Sequence, residues 1–396
     1  MPHPRSRHAQ PLLEKKLKFS PVVAIQGARQ TGKSFLVRQL LGGRLKGLRY
    51  VTFDSSGTQL FAAESPESFL AQHQEAHPLA IDEAQKVPAI FDAIKLEVDR
   101  RREPGRYLLL GSTEFSKQTL IRESLTGRMT RLRLFPLTLA ESLSLPLGPL
   151  GNDVLIKPKA RVSRKDLMTY LRSGGLPGIF AVRDRGEQES LFQDWIDLTA
   201  QRDATLFPKV KIDSVLCARI FRAIATLEEP TAAEVARLLK IDLRKVKTHI
   251  MVLEQLFALH RLDPHPLGTG RPWYFIFDVG IAVYLGATFE RQLHTWALLE
   301  QLAQRASSGD RRSDLYYYRT SKGGIIQLVV AEERVLHAVK ILGAERFYER
   351  ELNILTAFRE KCVKSKDWGC GSLSALGGDR FKLKTGVQIY PWEGLA

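Results

Sequence analysis

The residues best suited to chemistry lie at positions 27–34, which match the phosphate-binding pattern G-x-x-x-x-G-K-[ST]. They are Gly27, Ala28, Arg29, Gln30, Thr31, Gly32, Lys33 and Ser34. Glycines allow the backbone to fold tightly around phosphate oxygens, so that N–H groups face the anion. The ammonium of Lys33 can reach the β- and γ-phosphates, and the Ser34 hydroxyl can bind Mg²⁺. The pattern therefore predicts a nucleotide site that takes ATP and Mg²⁺.

The elements that must position this pattern can also be predicted. Residues 22–25 form an apolar run typical of a buried strand, and residues 35–41 have the apolar spacing of a helix. A strand before the pattern and a helix after it is the context that the pattern requires. Phe35, at the start of that helix, is included among the predicted nucleotide-binding residues. The alternative, a glycine-rich turn that binds nothing, is disfavoured by this context.

A second group of reactive residues ends the apolar run at 78–81, where Asp82 and Glu83 follow. Asp82 is predicted to hold the Mg²⁺ shell. Glu83 is predicted to orient and polarise the attacking water, which requires a carboxylate beside the metal yet free of it. An apolar run that ends in two acids is common by chance, so this prediction depends on the phosphate-binding pattern upstream.

Three more strands are predicted, at 49–54, 106–113 and 130–135. The polar tip of the second of these contains Ser112 and Thr113. Ser112 is predicted to contact the γ-phosphate or the attacking water. A simple transition from strand to loop explains the same residues equally well, so both interpretations stay open.

These segments resemble a large bacterial and archaeal group of AAA-family ATP-binding proteins, whose P-loop reads G-x-R-Q-x-G-K-[ST]. Other segments of this sequence are similar to further motifs of that group: 81–88 to I-D-E-x-Q-x-x-P, 110–113 to T-G-S-S, 125–128 to L-x-G-R, 136–141 to P-L-S-x-x-E, 174–177 to G-G-x-P, and 202–203 to R-D. Leu110 and Thr113 depart from the group's pattern. The resemblance implies ATP hydrolysis and a relationship to AAA+ and STAND ATPases, and it leaves the biological role open.

Arg128 takes its predicted role from this resemblance. It lies between a predicted helix at 117–125 and the predicted strand at 130–135, where AAA-type ATPases place an arginine finger for the neighbouring subunit. A guanidinium suits the spread charge of phosphoryl transfer. Such a finger implies a homo-oligomer, with a ring possible and Arg128 acting in trans. The alternative is a surface arginine that caps a helix C-terminus.

The fold class predicted is α/β. It comprises a P-loop AAA-type parallel sheet core (1–140), a linker and helical lid (141–210), a winged helix (211–280) and a small α/β C-terminal domain (281–396). The composition, with 44% hydrophobic and 26% charged residues, is that of a globular protein with no run that could cross a bilayer. The basic N-terminus is not followed by an apolar segment, and the three scattered cysteines suit no zinc site or disulfide framework. A cytoplasmic location and no membrane partner are therefore expected.

The net charge of +16 makes nucleic acid the first candidate partner. Helices predicted at 214–226, 232–239 and 243–257, followed by a hairpin, form the pattern of a winged helix, and residues 231–234 read as a capping box. The third helix carries a basic face opposite its apolar one, with His249 on the same side, and it would lie in a DNA groove. The predicted DNA-binding residues are Arg244, Lys245, Lys247, Thr248 and, in the hairpin tip, Arg271. A packing module with a solvated basic face is the alternative.

Residues from 315 onward resemble the same group's C-terminal module, which is similar to a restriction endonuclease. Its metal-binding E-V-D aligns with Ile325-Ile326-Gln327, and its E-V-K with Ala338-Val339-Lys340. Both metal-binding acids are missing, and a lysine alone cannot hold a divalent cation. Glu332 and Glu333 could replace them only through an unusual shift, so no DNA cleavage is expected.

Three functions compete at this stage. The first is a DNA-associated AAA-type ATPase that couples hydrolysis to DNA binding or remodelling. The second is a STAND-type nucleotide switch in signalling or defence that acts through protein partners. The third, a nuclease with an ATPase regulator, is disfavoured by the missing acids. The first is the hypothesis that this sequence favours.

Overall fold

A computed structural model describes the chain over residues 5–115, 125–147, 162–204, 207, 210–309, 313–332, 335–344, 347–364, 369–376 and 381–395. Most of the helix predicted at 117–125, part of the predicted linker, and Glu333 lie outside these residues. Within the described ranges, no helix combines the length and the apolar character that crossing a membrane requires.

The first sheet has five strands, numbered β1 to β5 along the chain: Val22–Gln26, Arg49–Thr52, Leu79–Asp82, Tyr107–Gly111 and Met129–Arg133. Their order is β2-β3-β4-β1-β5, and every neighbouring pair is parallel. Gln26 lies opposite Gly111, so β1 and β4 end together. The loops that follow β1, β3 and β4 therefore meet at one edge of the sheet, which is where ligands bind in such folds.

Helices cover both faces of this sheet: α1 (Gln10–Leu17), α2 (Lys33–Phe35, continued by a π-helical segment, Leu36–Leu41), α3 (Ser56–Glu64), α4 (Pro66–Gln72) and α5 (Ala89–Arg100). Successive residues of β1 pack into different clusters, because side chains alternate between the faces of a strand. Val22 and Ala24 pack with the helices α3, α4 and α5, and Val23 and Ile25 pack with α1 and α2. A strand buried on both faces reads as the continuous apolar run seen in the sequence.

The helix α6 (Leu139–Ser142) follows β5. The segment predicted as a lid, called the lid below, contains α7 (Arg164–Ser173) and α8 (Arg185–Leu198), and α8 continues as a π-helical segment (Thr199–Asp203). A capping box starts α7, since Ser163 accepts from the backbone N–H of Asp166, whose side chain accepts from Ser163 in return. The glycine after α7, Gly174, has a φ of 66°, and a Cβ there would lie 2.2 Å from an oxygen of Asp278. Glycine therefore lets the chain after α7 approach Asp278 closely.

The next unit, called the helix–hairpin unit (residues 214–276), contains α9 (Ser214–Thr226), α10 (Ala232–Leu239), α11 (Leu243–Gln255), β6 (Leu259–Pro264) and β7 (Trp273–Ile276). These are the elements that the sequence predicted, in the predicted order. Thr231 caps α10 by accepting from the N–H of Glu234 at 3.1 Å, but the Glu234 carboxylate pairs with Arg237 instead. The predicted capping box at this position is therefore only half formed.

The remaining elements are α12 (Val279–Tyr284), α13 (Phe289–Ser308), β8 (Ser313–Arg319), β9 (Ile325–Glu332), β10 (Val335–Ile341), α14 (Glu349–Lys364), β11 (Gly369–Leu376), β12 (Phe381–Lys382) and β13 (Gln388–Pro391). The second sheet has the order β12-β13-β11-β10-β9-β8-β6-β7. The hairpin β6–β7 is thus one end of the C-terminal sheet, because β6 pairs with β8 as well. Residues 369–376 form the strand β11 although they include two glycines, at 369 and 371.

Candidate nucleotide site

The phosphate-binding loop follows β1 and contains two glycines, Gly27 and Gly32, at positions that favour glycine over every other residue. A Cβ on Gly27 would lie 2.1 Å from the carbonyl oxygen of Leu134, and Gly32 has a φ of 91°. At Gly27 a side chain would clash with the backbone of Leu134, and at Gly32 the left-handed backbone would strain any residue with a Cβ. The loop is also bonded internally, since the Thr31 hydroxyl donates to the Ala28 carbonyl at 2.9 Å.

Lys33 occupies the centre of the loop and is buried. Its Nζ donates to the carbonyl oxygens of Gly27 and Ala28, each at 2.9 Å. Burial lowers the pKa of Lys33, while the nearby carboxylates of Glu83 and Asp82 act to raise it. The loop, the ammonium and both acids therefore lie together, as the sequence predicted. By contrast, Gln30 is exposed, and the Phe35 side chain is 40% exposed.

Ser34 and Asp82 form the predicted metal-binding pair. The Ser34 hydroxyl donates to Oδ2 of Asp82 at 2.5 Å. Hard oxygen ligands of this kind are those that Mg²⁺ prefers, so the residues present fit the predicted ion. Tyr50, which sequence reasoning missed, donates its hydroxyl to the same carboxylate oxygen. Burial, together with the bond to Asp82, raises the pKa of Tyr50 above its usual range.

Glu83 and Ser112 are brought together beside this pair. Glu83 has a left-handed backbone with a φ of 54°, which turns its side chain toward the end of β4. The Ser112 hydroxyl donates to Oε2 of Glu83 at 3.1 Å, and the Gln85 amide donates to the same oxygen. Gln85 also lies 3.3 Å from the Ser112 hydroxyl. Gln85 belongs to the I-D-E-x-Q segment, and its place in that motif was the signal that could have identified it.

The lid contacts the loop through Arg29. Its Nη1 lies 3.0 Å and 3.2 Å from the two carboxylate oxygens of Asp203, the acid of the R-D segment. The indole of Trp195 donates to the carbonyl of Arg29 at 3.3 Å. Two motifs from distant parts of the sequence therefore meet at the nucleotide loop.

A second contact to the loop comes from Arg7, which sequence reasoning missed. Its guanidinium donates to the carbonyls of Thr31 and Phe135, each at 2.7 Å, and to Oε1 of Glu141 at 3.2 Å. The same oxygen accepts the backbone N–H of His8 at 2.6 Å. Glu141 is the acid of the P-L-x-x-x-E segment, so this motif fixes the residues before α1 against the loop.

Arg128 lies at the amino ends of the strands of the first sheet, opposite the end where the phosphate-binding loop lies. It directly precedes β5, whose first residue is opposite the first residue of β1. Its guanidinium binds Asp99 on α5 through two bonds, of 2.5 Å from Nε and 2.9 Å from Nη2. Hydrogen bonding to Asp99 raises the pKa of Arg128. Arg128 is therefore not brought to the site of its own chain, and its role in trans stays a prediction.

The helix–hairpin unit docks against the same edge of the sheet as the nucleotide loop. The backbone N–H of Glu114, just beyond Ser112, donates to the carbonyl of Gln255 at the end of α11, at 2.9 Å. Arg133, at the end of β5, lies 2.8 Å from Nδ1 of His260 on β6. Burial lowers the pKa of Arg133 to about 10. The first contact links the end of β4 directly to α11, and the second links the end of β5 directly to β6.

The predicted DNA-binding residues lie at the opposite end of α11 and on the hairpin. Arg244, Lys245, Lys247 and Arg271 are exposed, and Thr248 is half-buried. His249 does not share their face, because it is fully buried and its Nε2 accepts the backbone N–H of Asp213 at 3.0 Å. The sequence prediction for His249 was therefore wrong. The hairpin tip is held by β8, since the Tyr317 hydroxyl donates to the carbonyl of Arg271 at 2.6 Å.

The residues aligned with the nuclease motifs bind backbone groups. The Gln327 side-chain oxygen accepts the N–H of Ile341 at 3.0 Å, and Lys340 donates to the carbonyl of Ile325 at 2.8 Å. Both side chains thereby tie β9 to β10. Burial lowers the pKa of Lys340.

Several known proteins are similar to this chain. Two uncharacterized proteins, from Mycobacterium bovis and Mycobacterium tuberculosis, are each 28% identical over 341 residues, which is 82% of this chain and 70% of theirs. A Walker-type ATPase of Pyrococcus abyssi is 14% identical over 72% of this chain and 98% of its own, with a TM-score of 0.42. A STAND protein with a tetratricopeptide repeat sensor from Pyrococcus horikoshii is 13% identical over 75% of this chain and 46% of its own, with a TM-score of 0.30.

Family models match two segments of the chain. Residues 164–292 match a domain of unknown function. Residues 19–143 match an AAA domain, and this segment holds the five-stranded parallel sheet with Lys33, Ser34, Asp82 and Glu83 at one edge. The match and the geometry agree, and residues 19–143 are therefore a P-loop domain of the AAA type.

Proposed function

We propose that this chain is an Mg²⁺-dependent ATPase that couples hydrolysis to DNA binding or remodelling through the helix–hairpin unit. The observation that carries the proposal is the meeting of the phosphate loop, the Asp82–Glu83 pair and Ser112 at one sheet edge, in direct contact with the end of α11. Phosphoryl transfer requires positioning and charge stabilisation more than covalent chemistry, and this edge offers both.

Each residue has a distinct task in this proposal. Lys33 and the loop N–H groups hold the β- and γ-phosphates, for which the ammonium must leave the carbonyls of Gly27 and Ala28. Ser34 and Asp82 hold Mg²⁺, which neutralises charge on the transferring phosphoryl group. Glu83 orients the attacking water, and Ser112 reports the state of the γ-phosphate through its bond to Glu83. Arg128 is proposed to complete the site of a neighbouring copy once its pair with Asp99 opens.

The proposed coupling follows the contact between Glu114 and Gln255. A shift of the Ser112 loop on hydrolysis moves the carboxyl end of α11, and a rigid helix carries that movement to its amino end. Arg244, Lys245 and Lys247 there are exposed and suit DNA phosphates, while Thr248 and Arg271 extend the same surface. The net charge of +16 supports nucleic acid as the partner.

The test is ATP hydrolysis by the full chain with single-stranded, duplex or branched DNA. Hydrolysis should be stimulated by one DNA form, and Lys33→Ala should abolish it. Replacing Arg244, Lys245 and Lys247 together by Ala should remove the stimulation and preserve the basal rate. A matched variant replaces three exposed cations elsewhere, Lys18, Lys46 and Arg183, and should keep the stimulation. Hydrolysis that is indifferent to DNA overturns the DNA role, and no hydrolysis by the wild type overturns the ATPase proposal.

A nucleotide switch acting through protein partners is the second candidate, and the hydrogen bonding of Glu83 favours it. Ser112 and Gln85 both bind the carboxylate that should orient water, and Arg29–Asp203 and Arg7–Thr31 hold the loop against neighbouring segments. Such restraint suits slow turnover with exchange of ADP for ATP. A change in oligomeric state between ADP and a non-hydrolysable ATP analogue, lost in Arg128→Ala, would select the switch.

A further inference from the structure

A cavity of about 270 Å³ lies beside the second sheet, next to the first turn of α13. None of the residues that line it belongs to the nucleotide site. Its volume is near the lower end of the range for small-molecule sites, about 300–1,000 Å³, which suits a small metabolite better than a nucleotide. Its walls include Trp273 on β7, the first turn of α13, and Gln327 on β9.

Arg291, in that first turn, is a buried cation that lines the cavity. It is 5% exposed, and its guanidinium lies 3.9 Å from the centroid of the Phe275 ring. Nη2 donates to the carbonyl of Tyr274 at 2.6 Å, while Nε and Nη1 have no hydrogen-bond partner. Within the described ranges no carboxylate lies within 4 Å of it. Burial lowers the pKa of Arg291 to about 9, so the group stays charged at neutral pH. A buried charge without a counter-ion is strongly disfavoured, and an anion in the cavity would supply one.

A second buried side chain lines the same cavity without a hydrogen-bond partner, at Nε1 of Trp273. Buried polar groups are almost always hydrogen-bonded, so unpaired ones at a single cavity indicate a ligand. The N-terminus of the 20-residue helix α13, capped by Thr288, opens onto this cavity and favours negative charge there. A planar carboxylate matches the guanidinium fork of Arg291.

The outer wall has the opposite charge. Glu228, Glu290 and Glu351 line the cavity, and Glu228 and Glu290 are exposed. Arg350 pairs with Glu351 at 2.8 Å, whereas no described cation lies within 4 Å of Glu228 or Glu290. Three carboxylates repel a phosphate dianion, but they attract an ammonium group.

We propose that this cavity binds a small organic carboxylate that also carries an amino group, the simplest such ligand being a free amino acid. Its carboxylate binds Arg291 and its ammonium faces Glu228 and Glu290. The site is independent of ATP hydrolysis, so Lys33→Ala should bind the ligand as the wild type does.

The test is calorimetric titration of the full chain with each of the twenty common amino acids, followed by the amino-free acid that matches any binder (acetate for glycine, propionate for alanine, glutarate for glutamate). At least one amino acid should bind with one-to-one stoichiometry, and its amino-free counterpart should bind about tenfold more weakly or worse. Inorganic phosphate should not compete. Saturable binding should also change the fluorescence of Trp273, and this change should disappear in Trp273→Phe.

Substitutions at two positions test the carboxylate and the ammonium group of the proposed ligand separately. Arg291→Gln should weaken binding of the amino acid about tenfold or more, with Arg291→Lys intermediate because it keeps the charge without the fork. Glu228→Gln, at an exposed position, should weaken binding of the amino acid and leave binding of its amino-free counterpart unchanged. The proposal is overturned if no amino acid binds, if phosphate competes equally, or if Glu228→Gln binds both ligands as the wild type does.

Discussion

Arg29 and Asp203 form an ion pair that joins the nucleotide loop to the last turn of the lid, with Nη1 of Arg29 at 3.0 Å from Oδ1 of Asp203. The two residues are 174 positions apart in the sequence. The side chain of Asp203 is 11% exposed and that of Arg29 32%. The loop therefore cannot move away from the predicted lid without breaking this pair.

Removing either partner of this pair should loosen the lid. A double-mutant cycle of Arg29→Ala and Asp203→Ala, followed by chemical denaturation, should give a coupling free energy of roughly 1 kcal/mol, since solvent screens a partly exposed pair. The Kd for ATP should rise by roughly three- to tenfold, or about 1 kcal/mol. Arg44→Ala with Glu14→Ala, which removes a more exposed pair, is the control. If the changes in unfolding free energy of the two single variants simply add in the double variant, the lid does not depend on this pair.

Glu83→Gln should separate binding of ATP from its hydrolysis. The substitution preserves the shape of the side chain and the bond from Ser112, but removes the charge that polarises water. Single-turnover hydrolysis should fall by about 10²- to 10⁴-fold, as expected for loss of a general base. Equilibrium binding of ATP should remain close to that of the wild type. Comparable rates in Glu83→Gln and the wild type would exclude Glu83 as the residue that orients water.

Arg7→Met should destabilise the protein strongly, because it leaves the Glu141 carboxylate buried without its cation. Both side chains are almost fully buried, at 5% and 3% exposure. Breaking one side of such a pair typically costs about 3–5 kcal/mol, whereas replacing both partners is much milder. Urea denaturation should therefore rank Arg7→Met with Glu141→Gln as more stable than Arg7→Met alone. The reverse ranking would mean that Arg7 acts through the Thr31 and Phe135 carbonyls rather than through Glu141.

Stability should depend on pH through Asp278, which joins Gly175, just after α7, to the first turn of α12. Its carboxylate accepts the N–H groups of Gly175 at 2.8 Å and Ile281 at 3.1 Å, and burial raises its pKa from 3.8 to about 6. A folded-state pKa above the unfolded value means that the folded state binds the proton more tightly. The resulting stability is present below pH 3.8 and is lost as the pH rises through about 6.

The slope between these values should approach about 1.4 kcal/mol per pH unit at most. Asp278→Asn resembles the protonated form and should lack this slope. Denaturation midpoints of both proteins from pH 4.5 to 7.5 provide the measurement. Parallel curves would show that Asp278 is not the group that titrates.

Local patterns were sufficient to predict the core of the candidate site. The loop from Gly27 to Ser34 and the pair Asp82–Glu83 each depend on neighbouring residues, so a strand and a turn are enough to place them. Ser112 lies beside Glu83 because parallel strands end at a common edge, and its contact with the γ-phosphate or the attacking water stays a prediction. The contacts of Arg7 and Tyr50 could not be predicted, since each depends on segments that come together only in the folded chain and leave no periodicity in the sequence.

The prediction for His249 failed for a different reason. Helical spacing assigns a face to each position, and His249 lies at the boundary between the apolar and basic faces of α11. The backbone N–H of Asp213 provides a buried partner for the imidazole, which lets this polar residue join the core. A pattern of apolar residues cannot show which boundary residue finds such a partner.

The pairing of β6 with both β7 and β8 also affects how the protein can be divided. If the chain were cut near residue 280, β6 would lose β8 and present an unpaired edge. Tyr317, which stacks on Trp273 with ring centroids 4.1 Å apart, would be lost as well. Exposed strand edges with uncovered aromatic rings promote aggregation. The helix–hairpin unit should therefore remain soluble only when the strands that follow it are included.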